Sequence, residues 1–253
     1  MRDSAATEVI FESENAVAPR DVISVAVSLF NYERFIAECL SSIAGQNYSD
    51  LELIVVDDHS ERDRSVEVSL EWMREHSNRF SRTLLLRHLQ NQGLAEARNT
   101  AFRHAHGDCV FVIDADNVLY PRAISRLSDV LRRGGFGGTY SQLEFFGDQQ
   151  SLGHADIWDP DQLKFGNYID AMALISKEAW ERVGGYTHMD GWEDYEFWCK
   201  FVENGIEAAY VPEILCRYRV HGNSMMRTET IQRHQQIHVD ITLAHPWLKL
   251  NSR

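Results

Sequence analysis

The sequence has 253 residues, of which 44% are hydrophobic and 25% are charged, the balance of a globular protein with a buried core. Its 38 acidic and 25 basic residues give a formal net charge of -13, which disfavours binding to nucleic acid or to an anionic lipid surface. No segment reaches the roughly 18 apolar residues of a membrane span. The N-terminus also lacks the basic and apolar regions of a signal peptide, so we expect a cytoplasmic protein.

Short apolar strands alternate with amphipathic helices after a polar, aperiodic segment at 1–20, which we predict to be a flexible lead-in. The alternating part predicts parallel βαβ units, and hence an α/β fold with an open, mostly parallel sheet flanked by helices. Four widely spaced cysteines without a CxxC pair favour reduced thiols and show no zinc spacing. The predicted strands are 22–30, 51–56, 83–89 and 109–116, and the predicted helices are 33–46, 63–80 and 93–107.

The second half of the chain differs in composition, with closely spaced glycines after residue 133 and many aromatic residues. We place a boundary near residue 134. A short helix at 178–186 leads into a loop, a second helix starts near Glu193, and a final extended segment precedes His221. A helical tail is expected over 231–253.

Asp114 and Asp116 end a strongly apolar strand. Because side chains alternate along a strand, both carboxylates can face one ligand. Such oxygen ligands suit Mg²⁺ or Mn²⁺, which usually keep substrate phosphates in their coordination shell. The alternative is a solvated turn that uses Asn117 and Pro121.

Two further acidic pairs stand at element boundaries. Asp57 and Asp58 follow a buried strand, where they can bind a base or ribose, or form an Asx-turn before the next helix. Glu193 and Asp194 begin a helix, where they can supply a general base or simply stabilise the helix dipole. Trp192 beside them can stack on a sugar or belong to the core.

His221 follows the last predicted strand and can complete a divalent-metal site, or play a structural part there. The sequence has no GxGxxG after the first strand and no GxxxxGK[ST], which argues against dinucleotide-type and P-loop sites. It also has no GxSxG or HExxH motif.

Together these segments resemble family 2 glycosyltransferases of the GT-A fold. The resemblance covers about residues 22–227. It is carried, in this order, by SVAVSLFNYERFIAECLSSIAGQNYSDLELIVVDDHS, NQGLAEARNTAFRHAHGDCVFVIDADN, VGGYTHMDGWEDYEFWCKFVENG and YRVHG. It implies a nucleotide-binding half over 21–133 and a smaller acceptor-binding and catalytic half over 134–230.

The resemblance also implies residue roles. Asp194 is the expected catalytic base, with Glu193 positioning acceptor or donor and Trp192 contacting the acceptor. Asp116 is the expected contact to Mn²⁺ or Mg²⁺, and His221 is the expected contact to that metal or to the donor diphosphate. The expected nucleotide-binding residues are Ser28, Phe30, Asp57, Asp58, Gly93, Arg98, Asp114 and Ala115.

These roles predict metal-assisted, inverting transfer of one sugar from a nucleotide-sugar donor, with a UDP-sugar favoured, to a carbohydrate or other hydroxyl acceptor. The absence of QxxRW and of membrane helices favours a non-processive enzyme. The chain can also be one module of a longer protein. One alternative is a catalytically silent nucleotide-sugar or carbohydrate-binding module of the same fold. A second is a nucleotide-sugar pyrophosphorylase, but such an enzyme would need a glycine-rich loop after the first strand, where SLFNYERF stands here.

Overall fold

The computed structural model describes residues 5–15, 21–222 and 225–248, and the side chains of all of these except 225–234. The strands are β1 (Thr7–Glu14), β2 (Ile23–Leu29), β3 (Leu51–Asp57), β4 (Arg82–His88), β5 (Cys109–Asp114), β6 (Val118–Leu119), β7 (Gly138–Gly147), β8 (Ser151–Leu152), β9 (Ala173–Ser176) and β10 (Ala208–Val220). The helices are α1 (Ile36–Ala44), α2 (Ser65–His76), α3 (Leu94–His104), α4 (Ala123–Gly134), α5 (Pro160–Leu163), α6 (Lys177–Arg182), α7 (Glu193–Glu203) and α8 (Met225–Ala244), with a 3₁₀ turn at Ser77–Arg79.

The strands form one mixed sheet in the order β1-β4-β3-β2-β5-β9-β7-β10-β6, with β8 paired to β7. Strands β4, β3, β2 and β5 are parallel, as the alternation of strands and helices predicts. The predicted α/β fold with a mostly parallel central sheet is therefore confirmed.

The central strands are buried on both faces because helices cover both sides of the sheet. In β2, Val25 and Val27 belong to one apolar cluster, and Ala26 between them belongs to the other. In β5, Phe111 and Val112 divide in the same way. Continuous apolar runs are the sequence pattern of such strands, since neither face meets water.

The predicted flexible lead-in is wrong for the described part of residues 1–20, because Thr7–Glu14 forms an edge strand antiparallel to β4. An edge strand is half-exposed, so it lacks the apolar pattern of a central strand. Its position is fixed by pairing with β4 and by an ion pair: Glu12 lies 2.7 Å from the nearly buried Arg82, which also binds the fully buried Glu52. Residues 1–4 and 16–20 lie outside the described residues.

The sheet continues across the predicted boundary at residue 134, since β9 pairs with both β5 and β7. One sheet therefore spans both predicted halves. Their assignment to nucleotide binding and to acceptor binding stays a prediction. The tail predicted at 231–253 continues the helix α8 as far as Ala244, and residues 249–253 lie outside the described residues. All four cysteines are free, as predicted.

Candidate active site

A cavity of about 2240 Å³ opens at the carboxyl ends of the central parallel strands. It extends to the first turn of α7 and to one face of α8. Its volume exceeds the ~300–1,000 Å³ of a site for one small ligand, so it has room for two substrates. All predicted site residues line this cavity except Asp57 and Ala115, whose side chains are fully buried.

The register of the sheet brings the predicted nucleotide residues together. Ser28 in β2 lies opposite Asp114 in β5, and the next residue, Leu29, lies opposite Asp57 in β3. Phe30 follows directly and is 41% exposed, although it is aromatic. An exposed ring on a cavity wall can stack on a planar base, and burial in a core would prevent this.

Asp58 organises the loop that precedes α3. Its Oδ1 accepts hydrogen bonds from the backbone N–H of Gln92 at 2.7 Å and from the His88 ring, and its Oδ2 accepts from the N–H of Gly93 at 2.8 Å. Gly93 has φ +87°, and a Cβ there would meet the His188 ring at 3.0 Å. The structure thus gives Asp58 and Gly93 a shared part in loop geometry that the sequence did not reveal.

Asp57 supports the same strand end from behind. Its carboxylate accepts hydrogen bonds from the N–H of Ser60 and lies 3.3 Å from the Arg87 guanidinium. Burial raises its pKa, and these two partners oppose the rise. Ala115 contributes its backbone N–H, which donates to the carbonyl of Ser28.

Arg98 joins the two ends of the cavity. Its guanidinium is 1% exposed and donates to Glu193 at 2.6 Å and to Asp114 at 3.1 Å. Arg98 is predicted above only as a nucleotide-binding residue, and its partners come from β5 and α7. Arg98 stays charged in this buried place because two carboxylates compensate its desolvation.

Asp116 and His221 form the pair predicted to hold a metal. The Asp116 Oδ2 lies 3.0 Å from the His221 Nε2, and both side chains are more than four-fifths buried. Burial raises the pKa of Asp116, and the imidazole opposes this rise. The Tyr32 and Phe35 rings pack against the imidazole.

In the described part of the chain, no group of three or more His, Cys, Asp or Glu side chains is placed to hold a metal. A carboxylate and an imidazole supply only two ligands. Mg²⁺ and Mn²⁺ sites of phosphate-transferring enzymes often have few protein ligands, because substrate oxygens and water complete the shell. The Asp116–His221 pair fits that kind of site.

The entry to α7 has an unusual backbone. Gly191 has φ +131° and Trp192, at the N-cap, has φ +61°. A non-glycine residue in the left-handed region costs about 1–3 kcal/mol, and such residues are common at functional sites. The turn puts Trp192, Glu193 and Asp194 on the cavity wall, in the part predicted for the acceptor.

The environment of Asp194 favours a neutral carboxyl group. Burial and the nearby carboxylates of Glu193 and Asp170 raise its pKa to about 7, against the lowering effect of Arg98. Its Oδ1 accepts from the N–H of Tyr195 at 2.8 Å, and its Oδ2 accepts from the Asn167 side chain at 2.9 Å. A carboxyl group with a pKa near neutrality is suited to proton transfer.

Tyr32, Asn167 and Asp170 also line the cavity, and they are not among the predicted site residues. Burial raises the pKa of Asp170 to about 6, and the negative charge of Asp114 adds to this rise. Asn167 and Asp170 stand in a loop between α5 and β9 that has no periodic pattern, so no local sequence signal indicates them.

The family model described as Glycosyl transferase family 2 matches residues 24–185, more than half of the chain. The chain belongs to this family. A relative named as an uncharacterized glycosyltransferase of Haemophilus influenzae is 28% identical over 235 residues, covering 85% of this chain and 69% of the relative. The family match ends before α7, so it does not cover Asp194.

Two solved structures are similar to this fold. S. aureus TarS in complex with UDP-GlcNAc matches with a TM-score of 0.73 and 14% identity, covering 92% of this chain and 68% of TarS. The mannosyltransferase PcManGT from Pyrobaculum calidifontis, in complex with GDP-Man and Mn²⁺, matches with a TM-score of 0.65 and 22% identity, covering 90% and 71%. The predicted GT-A fold is confirmed.

The chain spans between about half and three-quarters of the length of the first curated relatives it matches. Within the described ranges, none of the helices combines the length and the apolar character needed to cross a membrane.

Proposed function

We propose that this chain transfers a sugar from a nucleotide-sugar donor, with a UDP-sugar favoured, to a hydroxyl acceptor with inversion at the anomeric carbon. The observation that carries the proposal is Asp194, a partly exposed carboxylate on the cavity wall whose pKa is about 7. It faces a cavity that is large enough for donor and acceptor together. The other end of this cavity is formed by the strand termini.

The donor would lie at the strand termini. Phe30 offers an exposed ring for the base, and Ser28 offers a hydroxyl beside it. The complexes of TarS with UDP-GlcNAc and of PcManGT with GDP-Man support a nucleotide sugar as the donor class. Asp114 is held by Arg98, so its carboxylate would reach a ribose hydroxyl from a fixed position.

Asp116 and His221 would hold Mn²⁺ or Mg²⁺ together with the donor diphosphate. The bound cation would supply charge stabilisation for the leaving nucleoside diphosphate. An acidic cavity wall would otherwise repel the diphosphate, because Asp114 and Asp116 line it. The Mn²⁺ complex of PcManGT supports this choice of cation.

Asp194 would accept the proton of the acceptor hydroxyl. At the same time the hydroxyl oxygen of the acceptor would form a bond to the anomeric carbon, and the bond between that carbon and the diphosphate would break. One base and a direct displacement give inversion, without a covalent intermediate. Trp192 would contact the acceptor, and the transfer of one sugar fits a non-processive enzyme.

The test is incubation of the purified chain with UDP-, GDP- and dTDP-sugars, in Mn²⁺ and in EDTA, while release of nucleoside diphosphate is measured. We expect metal-dependent release from one nucleotide class, and a product of inverted configuration by NMR of the anomeric proton. Nucleotide binding without turnover, across a broad panel of donors and acceptors, would instead favour a catalytically silent binding module.

A further inference from the structure

The side-chain amide of Asn167 has a fixed orientation. Its Oδ1 accepts a hydrogen bond from the N–H of Ile169 at 3.1 Å, and its Nδ2 donates to the Oδ2 of Asp194 at 2.9 Å. A backbone N–H can only donate, so the flipped amide would lose the bond to Ile169, and it would also lose the bond to Asp194 whenever that carboxylate is ionised. The NH₂ group therefore points at Asp194.

The loop that carries Asn167 is anchored, although Asn167 itself is exposed to the cavity. Leu163 and Ile169, on either side of it, are almost fully buried in the core. The Tyr195 hydroxyl donates to the carbonyl of Leu163, which joins the loop to the first turn of α7. The loop of Asn167 and the first turn of α7 are thus packed together and joined by hydrogen bonds.

The Asn167 amide and a backbone N–H fix the plane of the Asp194 carboxylate. The N–H of Tyr195 donates to Oδ1 and Asn167 donates to Oδ2. Both bonds favour the ionised form, in which the carboxylate accepts a proton. The N–H of Tyr195 belongs to the main chain of α7, so Asn167 is the donor that a side-chain substitution can remove.

We propose that Asn167 is a positioning residue that holds the Asp194 carboxylate in the orientation and ionised state needed to remove the acceptor proton, an inference that rests on the proposed function. It acts through Asp194, without contact to the reacting atoms. The titratable and charged groups that act electrostatically on Asp194, or respond to it, are Glu193 and Cys199 of α7, Asp170 of the same loop, Arg98 of α3, and Tyr186. All of them remain in the variants described next.

The decisive variant is Asn167→Asp. It keeps an oxygen for the N–H of Ile169, so the loop stays anchored, but it places a second carboxylate against Asp194. Two carboxylates this close share a proton, and the base then ionises only at higher pH. We expect the acid limb of the kcat/KM profile to move up by about one pH unit or more.

A second variant, Asn167→Ala, removes the donor without adding a charge. We expect a smaller upward shift and a kcat about tenfold lower above the acid limb, the loss expected for one hydrogen bond to a charged group. The matched control is Asn78→Asp, which adds the same charge at an exposed position in the 3₁₀ turn. Its profile should overlay that of the wild type.

The profiles are recorded from about pH 6 to about pH 9 with saturating donor, and thermal unfolding of each variant verifies its folding. Asp194→Asn is measured in the same series. If it is inactive while both Asn167 variants retain the wild-type profile, Asn167 has no positioning part and the proposed function stands. If Asp194→Asn is as active as the wild type, the proposed base is wrong and this inference is wrong with it.

Discussion

The two ends of the cavity use acidic side chains in different ways. At the strand termini, Asp57, Asp58 and Asp114 are bound by protein partners, and their charge organises the walls. At the start of α7, Asp194 has one side-chain donor and a pKa of about 7. An acidic motif therefore indicates a place in the fold, whereas the partners of each carboxylate decide whether it is structural or available for proton transfer.

Asp116 stands between these two cases. It is buried like the structural carboxylates, but its partner is the His221 imidazole, which is itself a potential metal ligand. We therefore propose that the Asp116–His221 pair binds the cation and that Asp194 transfers the proton.

The largest effect is expected for Asp194→Asn, which keeps the size of the side chain but removes its basicity. Turnover should fall by about 10²–10⁴-fold, the usual contribution of a general base. Nucleotide binding should hardly change, because Asp194 is not among the residues proposed to bind the nucleotide. The assay is the initial rate of nucleoside diphosphate release, with Asp129→Asn on the exposed face of α4 as control.

Arg98→Met should lower the free energy of unfolding by about 3–5 kcal/mol, because it leaves Glu193 and Asp114 without their buried cation. Urea denaturation measures this loss. The double variant with Glu193→Gln should recover part of it, since one of the uncompensated charges is gone. A loss below about 1 kcal/mol would mean that Arg98 does not join the two ends of the cavity.

Asp116→Asn should weaken Mn²⁺-dependent nucleotide binding by more than about tenfold, because it removes one of two protein ligands. Calorimetric titration with UDP in Mn²⁺ and in EDTA gives the affinities. Equal affinities in Mn²⁺ and in EDTA would show that nucleotide binding does not depend on the cation.

The wild-type pH profile should have an acid limb near the pKa of Asp194, about 7. The base works when ionised, so activity is present above this pH and falls as the pH drops through it. Because Asp194 interacts with Glu193 and Asp170, the measured value belongs to the group of carboxylates. A limb that stays flat down to about pH 5 would contradict the assignment.

The smallest effect is expected for Gly93→Ala. A side chain at φ +87° is strained, and its Cβ would press on His188, so we expect a loss of about 1–3 kcal/mol in stability. Gly205→Ala offers a comparison at φ +62°, where no atom lies within 4 Å of the added Cβ. A smaller loss at Gly205 would show that Gly93 carries a further cost, from its extended ψ of 161° and from the contact with His188.

The sequence predicts much of the fold because its signals are local. Runs such as 22–30 and 109–116 are apolar on both faces of the sheet, and this pattern indicates buried parallel strands. The edge strand Thr7–Glu14 was not predicted, because its stability comes from pairing with β4 and from the ion pair of Glu12 with Arg82. Neither interaction produces a local sequence pattern.

The candidate site is predictable to a similar extent. Asp116, Asp194 and His221 stand at the ends of recognisable elements, and the resemblance to the family gave each a role. Asn167 lies in a loop, and its contact with Asp194 spans 27 positions of the chain. Such a contact follows from the path of the loop, which no pattern in one sequence predicts.

The division of the cavity into a donor end and a catalytic end is tested most directly by measuring nucleotide affinity in Mn²⁺ and turnover for both Asp116→Asn and Asp194→Asn. The account predicts opposite outcomes: Asp116→Asn loses metal-dependent binding, whereas Asp194→Asn binds the nucleotide like the wild type and does not turn over. If Asp194→Asn retains turnover, or loses nucleotide binding to the same extent as Asp116→Asn, the division of the cavity into a donor end and a catalytic end is contradicted.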